Sequence, residues 1–305
     1  MHPADEIPAL TPEQCDAWLG RMGIGRPPVP TLQAMNSLIA AHLARFPFEN
    51  LDSLLGRRVR IGPPFVFEKL LRRRRGGYCF ELNTLFCAGL KSLGYTVVPL
   101  AARVRWHVQE GTPTSLSHML LRVEVENQSY IVDVGFGGPT PDHALVLSPR
   151  IEHASAAAYQ LRPTPQDARA IHLPSYDLTL HSLASLRGRT DGGSEDTSGQ
   201  VLYRFDLSPQ SQIDFEMRNW DVSTNPDSHF TQALMVARTD DTGVRISLAN
   251  AKLTEREPDG SVRSTNTLPS VDSVIDVLTE RFGIELDGNL RESLTARWPS
   301  IMVVR

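Results

Sequence analysis

The sequence predicts an α+β fold in three consecutive parts: helical over 1–94, β-rich over 95–206 and mixed α/β over 207–305. Three observations carry this. Up to Gly94, apolar residues recur at helical spacing. After it, runs such as YTVVPLAARVRWHV, HMLLRVEVE and SYIVDVGF are rich in β-branched and aromatic residues, the composition of strands. The last third carries both hairpin turns and helical stripes.

Each element has a local reason. Thr11-Pro12-Glu13-Gln14 combines an N-cap, a proline at the first helical position and a glutamine placed for a capping box. Cys15, Trp18, Leu19 and Met22 then form one stripe, and Gly23 stops it. A second helix starts after Thr31, with Leu32, Met35, Leu38, Ile39 and Leu43 on its buried face, and Pro47 ends it near Phe46. A shorter segment runs from about Phe65 to Leu71. The fourth runs from Cys79 to Leu93, with Leu82, Phe86, Leu90 and Leu93 as its stripe and Gly94 as its stop. Strand character continues more weakly to Asp206, broken by the polar stretch RTDGGSEDTSGQ (189–200), which reads as an exposed loop. ALMVARTDDTGVRISL reads as a hairpin turning at Asp241-Thr242-Gly243, and a second turn falls at Asp259-Gly260. Ser270–Phe282 and Leu290–Trp298 read as closing helices.

Composition narrows the function. The chain has 305 residues, 41% of them apolar and 22% charged, enough for a sizeable core. A formal net charge of −4 speaks against nucleic-acid or membrane-surface partners, which need a basic face. No apolar run approaches the roughly 20 residues that span a bilayer, and the N-terminus lacks the pattern of a signal peptide. Three cysteines, an odd number, do not make a disulfide framework and fit a reducing cytoplasm. No histidine or cysteine spacing suggests a metal site.

The chemistry centres on RRRRGGYCFELN (72–83). Glycines permit tight backbone conformations and close approach, and a cysteine at a helix start meets the positive end of the helix dipole, which favours the thiolate. The plainer alternative is a small buried hydrophobe behind a tight turn, and it is the favoured reading for Cys15 and Cys87. A nucleophilic Cys79 needs a base and an orienting group. His118, at the mouth of an apolar strand, and Asp133, flanked by valines, are the candidates. Taken alone, His118 could be an exposed strand end and Asp133 a structural carboxylate. If their strands form a hairpin turning at Asn127-Gln128, the two are offset by four residues, about 13 Å along the strand. A four-residue loop over Glu124–Asn127 sets them directly opposite, with Cβ atoms roughly 5 Å apart. The expectation is therefore the wider loop or an equivalent stagger.

Five blocks, FPFENLD (46–52), RGGYCFELN, SHMLLRV, YIVDVGFG and VSTNPDSHF (222–230), resemble the arylamine N-acetyltransferases in order and spacing. The resemblance implies a helical bundle, a central β-barrel-like domain and a C-terminal α/β lid around a cysteine-peptidase-like triad core. It implies Cys79, His118 and Asp133 as the triad, with ping-pong transfer of acetyl from acetyl-CoA through an acetyl-cysteine to arylamines, arylhydroxylamines or hydrazines. It places Phe48, Val104, Phe136 and Phe230 at the acceptor slot and Thr114 and Ser115 beside CoA; plain core and an ordinary polar loop are the alternatives for these. Arg72–Arg74 read as a solvated face, and Arg75 as a structural ion pair. An amide synthase on the same fold, a cysteine peptidase or transglutaminase-like enzyme, and a catalytically silent binding protein are the competing readings.

Overall fold

A computed structural model describes residues 6–27, 29–153, 157–164, 174–181 and 199–302. The loop expected over 189–200 falls outside these residues except for Gly199 and Gln200, and Gln200 already opens a strand.

The first helix, α1 (Pro12–Met22), starts with the expected capping box: Gln14 N–H donates to Thr11 Oγ1, and Thr11 N–H to Gln14 Oε1. It ends on Gly23 at φ 71°. α2 (Leu32–Arg45) starts on Thr31 and stops where Pro47 forces Phe46 out of the helical region. A two-residue strand β1 (Phe48–Glu49) and the short α3 (Leu51–Leu54) follow. α4 (Pro63–Phe67) runs on into a wider π turn over Glu68–Arg72. α5 (Cys79–Ser92) is buried on every side from Cys79 to Leu90, beyond the single stripe that periodicity picked out. Its polar members there, Glu81, Asn83 and Thr84, are buried with the apolar ones, so the helix runs through the core. Each fully buried Leu or Phe along it contributes about 1.5–3 kcal/mol. Trp18 of α1 seats on Gly89, where no larger residue fits.

Among the described residues two antiparallel sheets follow. The larger has β2 (Thr96–Val104), β3 (His118–Val125), β4 (Gln128–Val132), β5 (Leu145–Val146), β6 (Ile151–His153), β7 (Ala158–Pro163), β8 (Ser175–His181) and β9 (Gln200–Asp206). Their spatial order is β5-β4-β3-β2-β9-β8-β7-β6, and the sheet curls until β5 approaches β7, a nearly closed, barrel-like form. The smaller sheet has β10 (Met235–Thr239), β11 (Arg245–Ala249), β12 (Lys252–Arg256) and β13 (Val262–Thr267), with β1 from the helical part added at the β10 edge. Its turns fall where Asp241-Thr242-Gly243 and Asp259-Gly260 predict them.

Between the sheets lie α6 (Gln212–Thr224) and α7 (His229–Gln232), which the sequence reading did not single out. Phe215 and Val222 of α6 pack into the core around α5. α8 (Val271–Glu280) and α9 (Gly288–Ile301) close the chain over the smaller sheet. Among the described residues no helix is long and apolar enough to cross a membrane.

The β3–β4 turn corrects one expectation. Val125 pairs with Gln128 and Leu121 with Val132, so the loop is the two residues Glu126-Asn127, not four. Both have positive φ, 53° and 60°, as a type I′ turn requires. Asn tolerates that region; Glu126 does not favour it, but its carboxylate accepts the Leu32 N–H and ties the turn to α2. Continuing this register sets Asp133 opposite Leu120, two residues from His118 on the same face. That diagonal is about 7–8 Å between backbones, within reach of two side chains.

Candidate active site

Cys79 opens α5, and its approach is built by close backbone contacts. Gly77 N–H donates to Pro47 O at 3.2 Å, and Glu49 N–H to Gly77 O at 2.9 Å, so Gly76-Gly77 lies flat against β1. A Cβ on Gly76 would stand 2.2 Å from Pro47 O, and one on Gly77 2.7 Å from Glu81 Oε2. Neither position admits a side chain. Glu81 Oε2 then accepts the Tyr78 N–H at 3.2 Å, fixing the residue before the sulfur.

Under this start lies a buried ion cluster. Arg75 donates to Glu49 Oε1 at 3.0 and 2.7 Å and reaches Asp52 at 3.3 Å. Lys69 lies 2.7 Å from Asp52 and 2.8 Å from Glu81. Three carboxylates share two cations. Burial pushes Glu81 up to about 7, against the pull of Lys69 and with the charges of Asp52 and Glu49 adding to the push. Arg75 is thus the structural ion pair expected of it, while Arg72, Arg73 and Arg74 keep 73, 67 and 68% of their side chains exposed.

His118 and Asp133 meet as the diagonal allows: His118 Nε2 lies 2.7 Å from Asp133 Oδ2. Asp133 sits just past β4, where its other oxygen accepts from Gly135 N–H at 2.8 Å and Asn83 Nδ2 at 3.0 Å. Cys79, His118 and Asp133 are only 4, 3 and 4% exposed, so their charges interact out of bulk water. Burial pulls the His118 imidazole down, but the charge and hydrogen bond of Asp133, with further help from Cys79, push it up to about 10. Burial raises Asp133, and His118, Asn83 and the Gly135 amide more than offset this, leaving it below its ordinary value. Cys79 is among the groups that raise His118, which puts its sulfur near the ring. The sulfur also lies 3.8 Å from Ser117 O. Gly135 seats directly on Cys79: a Cβ there would be 2.7 Å from Cys79 Cα.

Two residues at this centre escaped the sequence reading. Asn83 is one turn along α5 from Cys79 and ties the helix to both strands, donating to Met119 O at 2.8 Å and accepting the Val134 N–H at 3.1 Å. Its spacing of four from the cysteine was the available signal. Tyr203 of β9 packs its ring 5.0 Å from His118 and 5.4 Å from Phe136. Nothing local in LYRF marks it; only the β2–β9 pairing brings it in.

The expected acceptor residues divide into two groups. Phe136 lies edge-on to His118 at 5.4 Å. Phe48 and Phe230 are 6.0 Å apart, and Phe230 meets Tyr78 at 5.5 Å, beside the cysteine. Phe48 is also plain core, 7% exposed. Val104 ends β2, half-buried opposite Tyr203. In the loop before His118, the Thr114 carbonyl accepts from the Arg103 guanidinium, and Ser115 is exposed.

The chain and its fold have known counterparts. A family model described as N-acetyltransferase matches residues 31–291. The arylamine N-acetyltransferase of Mycolicibacterium smegmatis is 34% identical over 93% of this chain and 97% of its own length. The chain belongs to the arylamine N-acetyltransferase family. It is therefore an enzyme, an acyltransferase. The Salmonella typhimurium arylamine N-acetyltransferase / N-hydroxyarylamine O-acetyltransferase is 35% identical over 84% of this chain and 83% of that protein. The Mycobacterium marinum arylamine N-acetyltransferase, solved in complex with CoA, superposes with a TM-score of 0.82 at 31% identity, covering 94% of this chain and 99% of that one.

For this arylamine N-acetyltransferase family member the His118–Asp133 pair gives a pH signature. The raised imidazole adds stability in full below the unfolded value near 6.5 and loses it as pH rises through about 10. The lowered Asp133 adds stability above about 3.9 and loses it as pH falls through its folded value. The stability gap between the natural chain and Asp133→Asn should therefore be widest between about pH 4 and 6.5 and narrow steadily towards about pH 10. Urea midpoints measured across that range test it; a gap that widens on the alkaline side contradicts it.

Proposed function

We propose that the chain transfers acetyl from acetyl-CoA to an arylamine, arylhydroxylamine or hydrazine through an acetyl-Cys79 intermediate. The observation that carries this is the buried arrangement of Cys79 at a helix start, His118 beside it and Asp133 2.7 Å from the far ring nitrogen. The CoA complex of the M. marinum relative supports CoA as the donor's carrier.

Because Nε2 is engaged by Asp133, the ring turns Nδ1 to the sulfur, and the raised imidazole holds the proton that the thiol gives up. The Cys79 thiolate attacks the thioester carbonyl, a C–S bond to Cys79 forms, and the C–S bond to CoA breaks. The CoA sulfur takes the proton from His118. An amine then attacks the acetyl-cysteine, gives a proton to His118, and the thioester opens to restore the thiolate. The N–H at the start of α5 meets the oxyanion. Aryl and acyl-substituted nitrogens suit this site because they are unprotonated at neutral pH. Phe136, Phe48, Phe230 and Val104 supply apolar surface for such rings, and Thr114 and Ser115, in the loop before His118, contact CoA.

Intact mass after mixing the protein with acetyl-CoA and no amine tests the intermediate. The expected result is a gain of one acetyl group, mapped to Cys79 and discharged when an arylamine is added. An unmodified protein that still acetylates amines would rule the covalent route out.

A further inference from the structure

A second cleft adjoins the ion cluster. A cleft of ≈ 570 Å³ opens between the segment carrying Arg57, Arg58 and Arg60 and the residues leading into α9. Neither Cys79, His118 nor Asp133 lines it. Its lining includes Lys69, Arg75, Asp52 and Glu81 of the ion cluster, in which, with Glu49, three carboxylates already hold both cations. At the rim, Glu68 faces Arg72 and Arg73, and Glu285 faces Arg74 at 3.7 Å. Asp287 is held as the cap of α9, accepting the Leu290 N–H at 2.7 Å.

Among the described residues this leaves three neighbouring guanidiniums without a carboxylate. Arg57 donates only to neutral groups, of Asn289 and Ser293. Arg60 lies over the Phe65 ring at 4.7 Å. Arg58 has no hydrogen bond or ion pair. Three like charges within four positions repel one another; among the described residues none of them forms an ion pair, although Glu216 lines the adjoining cavity beside Arg58 and Arg60. Phe65, Leu286 and Leu290 add an apolar wall. Arg58, Arg60 and Phe65 also border an adjoining cavity of ≈ 330 Å³ that includes Trp220, 60% exposed. Planar guanidinium forks beside apolar and aromatic surface fit a phosphate group carried on a small organic body.

We infer that this cleft is a binding site for a phosphate- or diphosphate-bearing small molecule, separate from the acyl-transfer centre. Calorimetry of the full chain with inorganic pyrophosphate tests it by heat, independently of any acetyl transfer. The expected result is one saturable site that weakens with added salt. In the Arg58→Ala/Arg60→Ala double variant, binding should fall at least tenfold, with an unchanged circular dichroism spectrum and an unchanged KM for acetyl-CoA. Absence of saturable binding, or equal affinity in the double variant, overturns the site. A KM for acetyl-CoA that rises in step with the loss of pyrophosphate binding also overturns it, because the arginines would then belong to the donor site.

Discussion

Replacing Cys79 by alanine is expected to lower acetyl transfer to an arylamine by about 10⁴-fold or more, since a nucleophile that acts with a base as one unit leaves little behind when removed. The change deletes a single sulfur atom from a residue that is 4% exposed, so the fold should survive it. The asymmetry between kinetic and structural loss is the diagnostic. Initial rates with a fixed arylamine, beside a thermal melt of the same sample, separate the two. A variant that melts normally and keeps transfer within tenfold of the natural enzyme would show that the acyl group passes directly from donor to amine. His118 and Asp133 would then need another role.

Arg75→Ala should be the most damaging single change to stability near the site. Glu49 is fully buried, and Arg75 supplies two of its short contacts; after the change its nearest cation is Lys69, 3.8 Å away. Removing one partner of a buried ion pair costs about 3–5 kcal/mol, because the remaining charge stays out of water. Against a typical total of about 5–15 kcal/mol, this approaches the unfolding threshold. The urea midpoint should drop sharply, and transfer should fall with it, because Glu49 belongs to the β1 strand whose backbone holds Gly76-Gly77. Arg73→Ala, two positions away in sequence but 67% exposed, is the comparison and should shift the midpoint hardly at all. A loss below about 1 kcal/mol for Arg75→Ala would mean that the cluster rearranges around Lys69.

Much of the fold was legible because its signals are local. Thr11, Thr31 and Ser270 start helices where side-chain oxygens can satisfy free N–H groups, and Gly23 and Gly94 stop them at positive φ. The hairpin at Asp241-Thr242-Gly243 was equally plain. α6 was not, because its stripe is weak: Ile213, Met217 and Trp220 stay exposed while Phe215 and Val222 are buried. The β3–β4 turn departs from the expected wider loop for a related reason. Asn127 favours the left-handed region, but Glu126 does not, and its place there is held by a contact to Leu32 that is 94 positions away.

The sequence alone determined the residue types that chemistry of this kind requires: a thiol behind two glycines, an imidazole at the mouth of an apolar strand and a carboxylate between valines. It could do so because helix starts, glycine turns and isolated polar groups in apolar runs are read over a few residues. The tertiary structure alone decided how they meet. The two-residue stagger across the hairpin, Asn83 bridging helix and strands, Tyr203 against the imidazole and the charge cluster beneath the thiol all depend on pairings between segments far apart in the chain. Free energies of that sort belong to contacts formed only once the chain is packed, and no local pattern records them.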